Sequence, residues 1–409
     1  MRRCAFIGTI ILALAACGAQ RHPVAQPDMQ QRAATVAQRQ SALRLDIRAT
    51  LLASLEADLA AKREGRVDIL MLSGGGSWGA FGAGFLHGWS RLPADHPMAM
   101  PRFDVVSGVS TGALLSSYAL IGTPAYLERV EQVYRSCSED WAPLRSMVSL
   151  VGAPSLCDTT IFDATLRDQM DADLARDVVR IQDVEHRQAI VASSDIDLGR
   201  PILWRLGDQA RKGLAATPYD PDCLFNALRA SAAIPGAFSP VEVDGSLHVD
   251  GAVYGQIHVL SDMTLVDRVV AAWREKAGAA APLPKIRYWV ILNNRLSVDH
   301  KTIQPTWSDG ALRSIELMLN AQVAAPLHRL ALFVEGMRMR HGLDVELRWV
   351  QIPPEWSMPP EVSDFHPSVT NGLADLGLRM GADPASWSGP EQLGMNGVDD
   401  DAVELSGKP

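Results

Sequence analysis

Residues 67–79 read VDILMLSGGGSWG, a short and mostly apolar run that breaks into three consecutive glycines. The first six residues suit a buried strand, and the apolar positions of Phe81–Trp89 that follow recur at helical spacing. The same grammar then returns. Phe103–Ser107 (FDVVS) is a second short strand, Gly108-Val109-Ser110-Thr111-Gly112 a second turn of small residues, and Thr111–Ile121 a second helical run. Strand, tight turn and helix, twice over and with buried-looking strands, predict a parallel sheet covered by helices.

Further along the chain, Gln188–Ala192 (QAIVA) and Ile286–Leu292 (IRYWVIL) read as strands, and Asp344–Ile352 (DVELRWVQI) alternates as an edge strand does. Ala125–Tyr134 and Thr159–Leu174 have helical character, and Ser308–His341 reads as two helices or as one kinked at Pro326. The expected fold is α/β, a parallel-rich central sheet with helices on both faces, in one domain spanning 65–390. Before it, Leu43, Leu45, Ile47, Leu51, Leu52, Leu55 and Leu59 mark an amphipathic helix within 41–64. Residues 17–40, rich in Gln, Ala and Pro, read as a flexible tether, and the acidic, apolar-poor 391–409 as a frayed tail.

The 409 residues are 47% hydrophobic and 21% charged, which excludes a fibrous, a disordered or a multi-span membrane chain. A formal charge of −9 with no Lys/Arg-rich block argues against nucleic acid as a partner. The start is an address. Met1-Arg2-Arg3 precedes an apolar run from Ala5 to Ala16, too short to span a bilayer and suited to a signal peptide over 1–16. Leu14-Ala15-Ala16-Cys17-Gly18 resembles the lipobox of bacterial lipoproteins, which implies acylation of Cys17, anchoring to a membrane and a place in the bacterial cell envelope. Gly rather than Asp after that cysteine favours, by the same resemblance, the outer membrane. In an exported chain Cys137, Cys157 and Cys223 are expected to form one disulfide and leave one free thiol, with all three pairings open. No CxxC or His/Cys cluster has metal-ligand spacing, so no structural zinc is expected.

Three motifs carry chemistry. In Ser73-Gly74-Gly75-Gly76-Ser77-Trp78-Gly79, glycines between a strand and a helix let backbone N–H groups converge on an anion. Gly74, Gly76 and Gly79 also fit a dinucleotide fingerprint, but the acid required at the end of the next strand is missing. In the second motif, Gly108 and Gly112 flank Ser110 as in a nucleophile elbow, a sharp turn that presents the serine at a helix N-terminus. That serine needs a base. His300, His328, His341 and His366 are available without a distinctive local pattern, and a carboxylate is the alternative. Asp244-Gly245 reads as a hairpin turn, whereas Asp250-Gly251-Ala252 follows the return strand, where a carboxylate can face the elbow. Asp195 and Asp197 read as a solvated loop, Phe81, Phe85, Leu86 and Trp89 as core, and Arg200, Arg205 and Arg229 as surface residues.

The ordered set Gly-Gly-Gly-x-x-Gly, Gly-x-Ser-x-Gly and Asp-Gly-Ala resembles the patatin-like phospholipase family, in its bacterial lipoprotein form. Ser107–Leu114 (SGVSTGAL), Ala230–Phe238 (ASAAIPGAF) and Val249–Ala252 (VDGA) extend the likeness. The resemblance implies Ser110 as nucleophile, Asp250 as general base in a Ser-Asp dyad without histidine, and an oxyanion hole at Gly74, Gly75 and Gly76. It implies lipid esters of the phospholipid or lysophospholipid type as substrates and no cofactor. Trp78 departs from the pattern, since many members carry Arg or Lys there, and this makes an acyl-ester preference firmer than a phosphate preference. A broader esterase or acyltransferase on the same dyad, or an envelope lipoprotein that binds without catalysis, are the competing expectations.

Overall fold

The computed structural model describes residues 21, 23–61, 65–146, 149–150, 153–257, 263–298, 300–359 and 362–393. The signal segment 1–16, Cys17 and most of the 391–409 tail lie outside them. The first half of the chain forms α1 (Gln26–Ala60), β1 (Arg66–Leu72), α2 (Gly79–Trp89), β2 (Val105–Val109), α3 (Thr111–Ile121), α4 (Pro124–Arg135), α5 (Thr160–Gln169), α6 (Ala172–Val184), β3 (Gln188–Asp195) and β4 (Arg200–Arg205). The second half adds α7 (Leu206–Leu214), α8 (Asp222–Ser231), β5 (Val241–Val243), β6 (Ser246–Asp250), α9 (Met263–Ala277), β7 (Lys285–Leu292), α10 (Trp307–His341), β8 (Val345–Gln351) and α11 (Pro367–Gly381).

The sheet runs β5-β6-β3-β2-β1-β7-β8, with β4 also on β3. Its centre is parallel, and β4, β5 and β6 join it antiparallel. Successive strand residues point to opposite faces, and both faces are covered here. Leu70, Leu72, Trp289 and Ile291 enter a core with α2 and α3, while Ile69, Met71, Tyr288 and Val290 enter another with α1 and α10. The expected α/β architecture therefore holds, with β8 at the edge as its alternation predicts. β4 went unread.

Three expectations need correction. The first helix begins at Gln26, inside the stretch read as tether, and runs unbroken through Ala60. Its amino-terminal half has no apolar stripe because polar contacts hold it. Arg32 Nη1 donates to the Gly245 carbonyl at 2.7 Å, Arg39 pairs with Asp244 at 2.9 Å, and the Gln40 amide brackets the Leu203 backbone. Ala, Gln and Arg are strong helix formers, and Pro27 falls in the tolerated first turn. The apolar half buries Leu43, Ile47, Leu51 and Leu55, four-residue steps on one face. The second correction concerns the thiols. Cys137, Cys157 and Cys223 are all free, and burial in the core pushes the Cys137 thiol up to about 12. The third concerns Arg229, which is buried rather than on the surface. The Ser308–His341 pattern resolves into one helix that passes through Pro326.

Candidate active site

Ser110 caps α3 with φ 54° and ψ −124°, a left-handed conformation that a side chain adopts only when its surroundings impose it. The flanking glycines are what let the chain turn so sharply. A β-carbon on Gly108 would stand 2.3 Å from the Gly112 carbonyl oxygen, and one on Gly112 as close to that of Leu72. The Ser110 amide donates to Ser231 Oγ at 3.0 Å, and Ser231 Oγ donates to the Ala192 carbonyl at 2.6 Å.

Sheet register explains why Asp250 meets this turn. β4 lines one edge of β3 from Ile190 to Asp195. On the other edge β2 pairs only as far as Val109 opposite Ala192, and β6 takes over with Asp250 opposite Ser193. Ser110 and Asp250 thus converge on one position along β3, and the turn at Ser110 rotates it out of the strand. The Asp250 carboxyl faces the Ser110 side chain, which helps to lower its pKa, and its Oδ1 accepts from the Ala252 amide at 2.8 Å. Its backbone is tied on both sides, to the Ala233 carbonyl at 2.9 Å and to Ser194 Oγ at 2.8 Å. Burial, partly offset by Ser110, the Ala252 amide and Arg229, lifts its pKa to about 6. Arg229 is itself held by Asp163 and by Thr159 Oγ1, between the rings of Phe162 and Phe238.

The glycine loop lies beside Ser110. Gly76 takes φ +58° and opens a short 3-10 turn to Trp78 that leads into α2. Asn293, after β7, braces the loop: its amide donates to Ser73 Oγ and its Nδ2 to the Ser73 carbonyl, each at 2.8 Å. A β-carbon on Gly79 would collide with Thr111 Oγ1, so this glycine seats α2 against α3.

Two cavities meet at Ser110, Gly76 and Ser77. One, of about 50 Å³, is a slot walled by apolar side chains that include Leu114, Val133, Cys137, Phe162 and Phe238. The other, of about 590 Å³, is a polar cleft containing Asp250, Gln256, Asn294, Arg295, Lys301 and Asn320. A bound ester with its carbonyl at Ser110 would place an acyl chain on the first side and a polar alcohol portion on the second.

Of the remaining candidates, none of the four histidines lines either cavity. His328 turns to its own helix, His341 pairs with Asp267, His366 caps α11 and His300 is exposed. Asp195, read as part of a solvated loop, is instead the buried last residue of β3, where it caps a turn through the Leu198 amide, and Asp197 receives Arg21 and the Leu247 amide. Asp244-Gly245 forms the hairpin turn between β5 and β6, with φ values of 52° and 78°. Phe81, Phe85, Leu86 and Trp89 are core. Trp78 lines the cleft, edge-on to Trp356. Among the described residues no group of three or more His, Cys, Asp or Glu is placed to hold a metal, and no helix is long and apolar enough to cross a membrane. Sequence reasoning missed Ser231 and Asn293 as supports of the site. Ser231 stood in a quoted motif and Asn293 directly after a quoted strand, but only their contacts give them a role.

Residues 70–261 match the family model described as patatin-like phospholipase. A curated protein from Escherichia coli named cGAMP-activated phospholipase is 26% identical over 228 residues, covering 50% of this chain and 59% of that protein. The chain thus spans under two thirds of that relative's length. Among solved structures, VipD from Legionella pneumophila aligns over 80% of this chain and 68% of its own at 10% identity and a TM-score of 0.28.

Proposed function

We propose that the protein, whose residues 70–261 match the patatin-like phospholipase family model, is a serine acyl hydrolase that cleaves carboxylic esters of phospholipids or lysophospholipids through Ser110 and Asp250. The observation that carries the reading is a serine held at positive φ beside a buried carboxylate in one cleft, where an apolar slot meets it. The name of the Escherichia coli relative points to the same substrate class.

Each step follows from the residues. Asp250, raised toward neutrality, takes the proton from Ser110 Oγ as that oxygen attacks the ester carbonyl. The negative charge that develops on the carbonyl oxygen faces amides of the Gly74–Gly76 loop at the start of α2, where the helix dipole also favours it. Asp250 then gives its proton to the departing alcohol oxygen, leaving an acyl-serine. Water enters by the polar cleft, loses a proton to Asp250 as its oxygen attacks the acyl carbon, and Asp250 returns that proton to Ser110 Oγ as the fatty acid leaves. The Ala252 amide keeps one carboxylate oxygen in place throughout.

We place the enzyme on a membrane of the bacterial envelope, through Cys17. This rests on the sequence of residues 1–18 alone.

A fluorophosphonate probe, with its adduct mapped by mass spectrometry, tests the reading. Labelling of Ser110 that is lost in Ser110→Ala and weakened in Asp250→Asn is expected. A folded protein that resists the probe both in solution and with lipid vesicles overturns it.

A further inference from the structure

We propose that the catalytic end of the sheet is the surface that lies on a lipid bilayer, with Ile196 and Tyr254 entering it on one side of the polar cleft and Leu317 and Met318 on the other. Resting on the acyl-hydrolase reading and on the Cys17 anchor above, this orientation lets a lipid pass from the membrane directly to Ser110.

Strand register decides which end of the sheet meets the membrane. Val109 lies opposite Ala192, so Ser110 stands level with Ser193, where Asp250 pairs. β3 continues to Asp195 before turning into β4 through 196–199, and at about 3.3 Å per residue that turn begins roughly 10 Å beyond Ser110. The β5–β6 hairpin stands beside it, since His248 pairs with Asp195 and Gly245 lies further out. Arg21 holds both tips. Its Nη1 pairs with Asp197 and its Nη2 donates to the Gly245 carbonyl, each at 2.9 Å. Cys17 precedes Arg21 by four residues, which span at most about 14 Å when fully extended. An acyl chain on Cys17 therefore brings this end of the sheet to the membrane, and not the opposite one.

An apolar rim occupies the same end. Ile196, Val253, Tyr254, Leu317 and Met318 are 41–60% exposed. A β-carbon at Gly199 would lie 3.9 Å from the Tyr254 hydroxyl oxygen, so Tyr254 folds back to the turn that carries Ile196. Val253 and Tyr254 follow Ala252, and Leu317 and Met318 stand within one turn of Asn320 on α10; Ala252 and Asn320 both line the cleft. The Gln256 amide donates to the Gln322 carbonyl at 3.1 Å and joins the two sides. Single apolar side chains on a surface are ordinary, but these flank the cleft through which a lipid ester has to come. The carboxylates of the tips, Asp197 and Asp244, pair with Arg21 and Arg39 at 2.9 Å, so neither meets the head groups as a bare charge. A second copy of the chain would cover the rim equally well, but only a bilayer is also held there by Cys17.

The test reconstitutes the full acylated chain in vesicles of phosphatidylethanolamine and phosphatidylglycerol. Fatty-acid release from that bilayer is compared with hydrolysis of p-nitrophenyl butyrate, which reaches Ser110 from water. Ile196→Ser combined with Tyr254→Ser is expected to lower lipid turnover by about tenfold or more, the scale of two partly buried apolar side chains. The soluble ester should stay within about twofold, as for surface substitutions in general. Leu317→Ser combined with Met318→Ser, on a different element, should do the same. A lipid-to-ester ratio that stays at the wild-type value in both double variants overturns the inference, and so does a parallel loss on both substrates in folded protein. A dimer in detergent that both double variants abolish, with the ratio unchanged, assigns the rim to a second copy instead. Chain purified from membranes whose mass shows no acyl group on Cys17 removes the anchor and overturns the orientation, while ester turnover and fluorophosphonate labelling still uphold the hydrolase reading. If wild type shows neither of those two activities, the hydrolase reading fails and the orientation falls with it.

Discussion

The backbone amide of Ser110 donates to the hydroxyl of Ser231 across 3.0 Å, a bond between the end of β2 and the end of α8. It pins the strained turn from outside, because Ser231 is anchored in turn on β3. In Ser231→Ala the Ser110 amide loses its partner in a fully buried position, at a cost of about 1–3 kcal/mol. The turn should loosen, and kcat should fall by about tenfold with KM little changed. Steady-state kinetics on a p-nitrophenyl ester checks this, and an unchanged kcat would mean that the elbow holds itself.

Asp250 sets the pH dependence. Its pKa of about 6 makes it a proton acceptor above that pH and a protonated, inactive group below it. The activity profile should therefore rise through about pH 6 and stay high toward pH 8. Asp250→Asn should lose that limb and about 10²–10⁴-fold in kcat/KM. A rise governed by a different pH would assign the base to another group.

The same residue should trade stability for activity. Its folded pKa lies above the ordinary 3.8, so the protonated form favours folding, and that contribution is lost as pH rises through 6. An amide at this position avoids the buried charge and can still accept from Ala252 and meet Ser110. Asp250→Asn should melt higher than wild type at pH 8, with a smaller gap at pH 5. Calorimetry at the two pH values decides it, and a variant that melts lower at pH 8 would show that the carboxylate is a net support.

Gly108 and Gly76 should separate folding from chemistry. A β-carbon at Gly108 would overlap the Gly112 carbonyl, which is backbone and cannot yield, so Gly108→Ala should fail to give soluble, cooperatively melting protein. A β-carbon at Gly76 meets nothing within 4 Å, and its cost is the left-handed φ, of the order of 1 kcal/mol. Gly76→Ala should fold with a modestly lower Tm and lose activity as the loop amides shift. Equal Tm values for the two variants would contradict the close approach at the elbow.

These residues also mark what the sequence could and could not disclose. Ser110 and Asp250 were legible because each sits in a local device whose geometry dictates composition. An elbow needs small flanking residues, and a hairpin turn needs Asp-Gly before the strand that delivers the second carboxylate. Arg295 and Asn293 were not, because a polar residue after a strand has no pattern until the fold brings it to the loop. The start of α1 failed for the same reason. Arg32 and Arg39 find their acceptors at Asp244 and Gly245, about two hundred positions away in sequence, and no periodicity announces such contacts. Arg229 seemed a surface residue until Asp163 and two phenyl rings enclosed it.

The apolar slot makes the last prediction. Val133 projects into it from α4, close to Cys137 on the turn that follows, and the volume beyond Ser110 is only about 50 Å³. A larger ring there should close the path of a long acyl chain while leaving room for a short one. Val133→Phe is therefore expected to lower hydrolysis of a palmitoyl ester by about tenfold or more relative to a butyryl ester, from the loss of several buried methylenes at about 0.8 kcal/mol each. The ratio of kcat/KM for the two esters cancels any general loss of enzyme. If the ratio stays at the wild-type value, the acyl chain takes another route out of the site, and the polar cleft is then the path to examine.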